Sequence, residues 1–191
     1  MKKRLDQLLV ESGLAPSRSK AQQLIGAQDV EVRIGGVWTA IDQASYLTDS
    51  EIRLKPDSEI LKYVSRGGLK LEGALNHLGL DVRGLRILDL GVSTGGFSDC
   101  LLQRGAGEIL GVDVGHGQLD PRLKIRHFEG VNVKDIPAHD EIRAWLEAGV
   151  DLCVADLSFI SFLSLASVLR GFLPSGTRLL ALIKPQFELG A

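Results

Sequence analysis

The sequence predicts an α/β protein, a doubly wound domain on a parallel sheet preceded by a small α+β unit. Three observations predict it. Residues 87 to 97, Ile-Leu-Asp-Leu-Gly-Val-Ser-Thr-Gly-Gly-Phe, pass from an apolar run into a glycine-rich turn. Apolar segments of strand length then alternate with helical patterns toward the end of the chain, the signature of βαβ units and a Rossmann-like sheet. The texture changes at Pro56-Asp57-Ser58-Glu59, which has linker composition and divides a unit 1–58 from a unit 59–191.

In the first unit, Leu5, Leu8 and Leu9 repeat at helical spacing and Gly13 is a stop signal. A second helix starts near Ser17 or Ser19, where Ser19 and Gln22 have capping-box spacing, and Ala21, Leu24 and Ile25 form its apolar face. Val30, Val32 and Ile34 alternate, Gly35-Gly36 turns the chain, and Val37, Trp38 and Ile41 return as a hairpin. Glu51–Lys55 adds a short strand.

In the second unit a helix over Leu69–Leu78 precedes strands at Arg86–Leu90, Ile109–Val112, Ile125–Phe128, Leu152–Ala155 and Leu179–Ile183. The helix after the glycine turn is expected to carry Cys100, Leu101 and Leu102 inward, with its amino end facing whatever the turn holds.

Composition excludes several classes. At 191 residues, 45% hydrophobic and 24% charged, the chain is of ordinary globular type rather than disordered. A net charge of −2 argues against a bulk polycation. Residues 1–70 hold 11 Lys/Arg against 9 Asp/Glu, leaving room for a weakly basic N-terminal module. Cys100 and Cys153 lie in separate apolar segments, as two reduced core thiols of a cytoplasmic protein would. Met1-Lys2-Lys3-Arg4 leads into no secretory apolar region, and Leu157–Leu169 is short of the about 20 residues a bilayer span needs. No membrane association and no metal are therefore expected; His77, His116, His127 and His139 lack ligand spacing.

The turn is spaced Gly91-x-x-x-Gly95-Gly96 rather than G-x-G-x-x-G, which disfavours a pyrophosphate-bearing cofactor such as a nicotinamide dinucleotide. Asp89 before the turn and Asp113 after the next strand place carboxylates where a cationic, hydroxyl-rich ligand would sit; the plainer alternative is that they cap helices. Asp156 follows the fourth strand and Lys184 the fifth, so both open onto the same sheet edge. An Asp–Lys pair there suits activation of a sugar hydroxyl. An amine serves as base only when desolvation or a neighbouring cation makes it more acidic; Lys70 is the candidate neighbour, unless it is a plain solvated helix lysine.

The segments YVSRGGLKLEGAL, LDLGVSTGGFSDCLLQRGA, GVDVGHGQL, ADLSFIS and LIKPQFE, in this order, resemble the TlyA family of hemolysin-named proteins. These are FtsJ-like RNA methyltransferases that use S-adenosyl-L-methionine and carry an N-terminal S4 RNA-binding domain. The resemblance implies methylation of ribose 2′-hydroxyls in ribosomal RNA by a Lys-Asp-Lys-Glu set. Lys70, Asp156 and Lys184 match its first three members, and the glutamate has no counterpart among these residues. It implies further that Gly91, Ser93, Gly95, Gly96 and Phe97 surround the methionine part of the cofactor, with Asp113 on the ribose and Asn132 beside adenine; Asp89, before the turn, is counted with the cofactor-binding residues.

Arg4-Leu5-Asp6 and Ser17-Arg18-Ser19-Lys20-Ala21 resemble the S4 motif, which makes Arg4, Ser17, Arg18 and Lys20 candidate RNA contacts. The hairpin departs from the family, with Arg33-Ile34-Gly35-Gly36 where Val-Asn-Gly is usual. A chain ending at Glu188-Leu189-Gly190-Ala191 is expected to lack the family's final strands, to turn over weakly or not at all, and to self-associate through an exposed sheet edge. Two alternatives stand beside the enzyme, a non-catalytic RNA-binding protein and a hemolysin-like membrane activity; a buried helix explains Leu157–Leu169 more simply than the latter.

Overall fold

The computed structural model describes residues 3–44, 46–47, 51–56, 58, 62–158 and 161–188. Of the predicted linker, Asp57 and Glu59 lie outside the described residues, as do Phe159 and Ile160 of the ADLSFIS segment. The chain forms two compact units, Met1–Lys62 and Tyr63–Ala191.

The first unit opens with β1 (Lys3–Arg4), α1 (Leu5–Glu11) and α2 (Arg18–Gly26). It continues with β2 (Val30–Ile34), β3 (Val37–Ile41), β4 (Tyr46–Leu47) and β5 (Ile52–Leu54). β2 lies between β3 and β5 in an antiparallel sheet, and β1 pairs with β4. Leu5 and Leu9 of α1, Ala21, Leu24 and Ile25 of α2, and Val30 and Val32 of β2 share one core, so both helices cover the sheet; the α2 face is the one its periodicity predicts, whereas Leu8 of the predicted α1 face is only partly buried and stands outside this core. Gly35 and Gly36 both take positive φ, +57° and +86°, as the tight hairpin turn requires. The cap of α2 is Ser17, whose Oγ accepts from Lys20 N at 3.2 Å. The Ser19–Gln22 box does not form, because Ser19 lies inside the helix and the Gln22 amide is engaged by Asp6.

The second unit contains α3 (Gly67–Leu78), β6 (Arg86–Leu90), α4 (Gly96–Gln103), β7 (Glu108–Val112) and β8 (Arg126–Phe128). A 3₁₀ turn at Val133–Ala138 follows, then α5 (Asp140–Glu147), β9 (Leu152–Ala155), α6 (Phe162–Arg170), β10 (Arg178–Ala181) and α7 (Pro185–Glu188). The five strands form one parallel sheet in the order β10-β9-β6-β7-β8. The sheet is covered on both faces, as parallel sheets are. Leu88, Leu90, Leu110, Val112 and Cys153 pack with Ile142, Trp145 and Leu146 of α5 and Leu165 and Leu169 of α6. Ile87, Ile109, Leu152 and Val154 pack with Leu71 and Leu75 of α3 and Cys100 and Leu101 of α4.

The two cysteines are free thiols buried on opposite faces. Leu102 departs from expectation and is exposed, because one step of about 100° past Leu101 carries it off the buried stripe of α4. β10 ends at Ala181, two residues short of the predicted Ile183.

Helices α3 and α4 meet closely where each begins. A Cβ on Gly68 would lie 2.3 Å from Cγ of the buried Tyr63 ring, and one on Gly96 would lie 3.0 Å from Gly68 N. Gly68→Ala is therefore expected to destabilise the protein by about 1–3 kcal/mol, since overpacking outweighs the helix propensity gained. A urea midpoint unchanged or raised at constant m-value would show that the ring yields.

Candidate active site

The strand order reverses between β6 and β9, because the chain builds outward through β7 and β8 and then returns to the other side of β6. In such sheets ligands bind beyond the carboxyl ends of the strands at this point. The ends of β6 and β9 are held together there by Asp156 N donating to Leu90 O at 3.1 Å. Gly91 adopts φ +80°, and a Cβ on it would meet Asp156 O and the Leu157 side chain at 3.0 Å each. A cavity of about 600 Å³ opens here, within the range of small-molecule sites. Gly91, Ser93, Asp113, Asn132, Asp156 and Lys184 are on its wall.

Asp113 organises one side. Its Oδ2 accepts from Ser93 N at 2.8 Å and its Oδ1 from Gly115 N at 2.7 Å. The first bond helps hold Ser93 at φ +45°, a left-handed conformation uncommon outside glycine and enriched at functional sites. Ser93 Oγ donates to Gln118 Oε1 at 3.0 Å, closing a bridge between the glycine turn and the loop after β7. Asn132 caps the 3₁₀ turn, its Oδ1 accepting from Lys134 N at 3.1 Å.

Asp156 organises the other side. Lys184 Nζ lies 2.7 Å from its Oδ1 and also donates to Ser158 Oγ at 3.0 Å. Lys70 Nζ, reaching from α3, lies 3.8 Å from Oδ2. Lys184 and Asp156 are about one-fifth exposed, 19% and 21%, while Lys70 is 53% exposed. Residues 70, 156 and 184 are thus brought to one point from three separate segments.

Four of the predicted cofactor residues do not line the cavity but shape it from behind. Asp89 shares the pleat parity of Ile87 and faces α4, where Ser98 Oγ donates to its Oδ2 at 2.6 Å. It is buried and its Oδ1 has no hydrogen-bond partner among the described residues. Burial pushes its pKa up to about 7, opposed by the bonds from Ser98 and reinforced by the charges of Asp156 and Asp113. A Cβ on Gly95 would strike the Leu123 and Leu119 side chains, Gly96 admits the start of α3, and Phe97 is buried in the core beside α3. Gln118 and Ser158 on the cavity wall carry no role in the motif-based expectation; only their nearness in sequence to Asp113 and Asp156 signals them.

In the first unit, the buried carboxylate of Asp6 gathers Arg4 Nε at 3.0 Å, Arg18 Nη2 at 3.1 Å and Gln22 Nε2 at 3.1 Å. The Arg4 guanidinium above all, with Gln22 and Arg18, holds its pKa well below the usual carboxylate range despite burial. Arg18 remains more than half exposed. Ser17 is spent as the helix cap, and Lys20 is only 7% exposed, so of the four predicted RNA contacts this structure withholds Lys20.

Among the described residues no group of His, Cys, Asp and Glu is arranged to hold a metal ion, and no helix is long and apolar enough to cross a membrane.

Comparison with known proteins matches residues 63–191 to the FtsJ-like methyltransferase family and residues 3–32 to the S4 domain. The chain is 41% identical over 194 residues to a Mycobacterium tuberculosis protein named 16S/23S rRNA (cytidine-2′-O)-methyltransferase TlyA, covering 98% of this chain and 68% of that protein. It is 38% identical over 192 residues to Hemolysin A of Brachyspira hyodysenteriae, covering 97% and 75%. Among solved structures, a Streptococcus thermophilus protein described as a candidate hemolysin superposes with a TM-score of 0.65 at 37% identity, covering 99% of this chain and 68% of that one.

The environment of Asp89 gives a pH signature. Its folded pKa of about 7 lies above its ordinary value of 3.8, so between these values the folded state holds a proton the unfolded state lacks. This contribution to stability is full below about pH 4 and is lost as pH rises toward 7, by on the order of 1–4 kcal/mol. Asp89→Asn is expected to remove that slope from a plot of urea stability against pH; parallel profiles would show that another group titrates.

Proposed function

The chain belongs to the FtsJ-like methyltransferase family, and from that we propose that it methylates ribose 2′-hydroxyls of ribosomal RNA using S-adenosyl-L-methionine. The observation that carries the proposal is the meeting of Lys70, Asp156 and Lys184 beside a cavity at the strand-order reversal. The names of relatives supply the substrate class, and the 41% identical mycobacterial protein is named for this reaction on rRNA.

The residues present fit the cofactor. Gly91 brings backbone to the cavity where a side chain would collide with Asp156. Asp113 keeps acceptor capacity beyond its two backbone bonds, as recognition of a pair of ribose hydroxyls requires. Asn132 stands on the same wall and would flank the adenine. When bound, the cofactor supplies an electrophilic methyl carbon on a cationic sulfur.

The chain's own residues would align and deprotonate the acceptor. Asp156 holds Lys184 Nζ against the cavity wall, where the unprotonated amine can receive the proton shed by the ribose oxygen. Lys70, more exposed and on the other carboxylate oxygen, is placed for a substrate phosphate. Fixing the acceptor against the donor supplies much of the rate in such a transfer. Arg18, oriented by Asp6, and Arg4 beside it present guanidinium groups for RNA phosphates. For the relatives called hemolysin, that word is a name only.

Calorimetric titration should show binding of S-adenosylmethionine and no binding of NAD. In assays with labelled cofactor and ribosomal RNA, Lys184→Ala should lower transfer by about 10²–10⁴-fold while leaving cofactor affinity nearly unchanged. Absence of cofactor binding, or full transfer by Lys184→Ala, would overturn the proposal.

For RNA binding, Arg18→Ala should weaken affinity and reduce the slope of log K against log salt by about 0.7–0.9, the loss of one phosphate contact. An unchanged slope would place the phosphate contact elsewhere.

A further inference from the structure

We infer that Ser158 is a positioning residue for Lys184, aiming the amine that serves the ribose hydroxyl. The inference rests on the methyl-transfer function proposed above and deepens it.

Strands β9 and β10 are parallel neighbours with Ala155 opposite Ala181. Ser158 and Lys184 each lie three residues past this pair, so the register that aligns the strands also brings these two side chains together. The backbone bond from Leu182 N to Ala155 O, 2.8 Å, extends the pairing beyond the last strand residue. Lys184 Nζ then meets two partners from one short segment, a hydrogen-bond acceptor in Ser158 Oγ at 3.0 Å and an ion-pair partner in Asp156 Oδ1, which lies 2.7 Å away but outside hydrogen-bond geometry. All three residues are on the cavity wall.

Two anchors differ in kind from one. A lysine stem has several free rotations, and a single ion pair leaves the nitrogen able to pivot about its partner. An unprotonated amine has two N–H donors and one lone pair. Ser158 accepts from one donor and the Asp156 charge attracts the N–H side of the nitrogen, so the lone pair is directed away from both, available for the incoming proton. That proton passes from the ribose oxygen to Lys184 Nζ and is later released to water. Without Ser158 the charge partner remains, but the direction of the lone pair is no longer set.

The test compares the unaltered chain with Ser158→Ala and Ser158→Thr. Ser158 is exposed, so neither change disturbs the core. Ser158→Ala is expected to lower kcat by about 10- to 100-fold with little change in KM for either substrate, and Ser158→Thr, which keeps the hydroxyl, to restore most of it. A second readout needs no turnover. Trace labelling of amines followed by mass spectrometry should show Lys184 of Ser158→Ala reacting at least about 3-fold faster, with Lys70 and Lys134 unchanged.

If the unaltered chain binds cofactor and transfers methyl groups but Ser158→Ala keeps its kcat and its Lys184 reactivity, the role of Ser158 is overturned and the function stands. If the unaltered chain binds cofactor but transfers too little to measure, the labelling decides alone, and unchanged Lys184 reactivity in Ser158→Ala overturns the role of Ser158; if it neither binds cofactor nor transfers, the function falls and this inference with it.

Discussion

The close approach of the chain at Gly91 to the carbonyl of Asp156 is the contact on which the site depends. It occurs where two adjacent parallel strands, β6 and β9, send their following segments in different directions. A side chain at position 91 would be strained at φ +80° and would press by a few tenths of an ångström on the Asp156 carbonyl and Leu157, the segment that carries the Asp156 carboxylate. The left-handed turn through Gly91 and Ser93, the bond from Ser93 N to the Asp113 carboxylate, and the seating of Lys184 beside Asp156 all presuppose that the two strand ends stay together.

Three carboxylates stand at the ends of three neighbouring strands, and their surroundings give them different uses. Asp89, at β6, is buried against Ser98, and burial pushes its pKa up to about 7, so it acts as part of the packing under the turn. Asp113, after β7, is met by two backbone N–H groups and holds the loop geometry while facing the cavity. Asp156, after β9, is met by the Nζ atoms of two lysines and faces the same cavity. Separating the roles this way avoids placing three unscreened negative charges at one site, which burial would penalise.

The first unit uses a carboxylate differently again. Asp6, on α1, is buried and surrounded by donors from α2 and from the strand before α1, so it ties α1 to α2 and at the same time sets the direction of Arg4 and Arg18. Its charge is matched within the cluster, and the exposed remainder of Arg18 is left for other contacts.

Much of this was legible in the chain. Strands β6 and β9 fall where their apolar runs predict, the Gly35-Gly36 hairpin forms, and the order of elements alone implies the doubly wound sheet. These features follow from local periodicity and turn chemistry, which act over a few residues. The motif segments also single out Lys70, Asp156 and Lys184 as candidates. Which motif residues face the ligand cavity was decided by tertiary structure. A parallel strand is apolar on both faces, so its pattern does not say toward which helix layer Asp89 points, nor that Gly96 and Phe97 serve the packing of α3. The capping of α2 by Ser17 rather than Ser19, the burial of Lys20 and the placing of Ser158 against Lys184 depend on contacts between segments far apart in sequence. Local pattern determines which elements form, whereas the direction of each side chain at the site depends on strand register and on the neighbours that register brings.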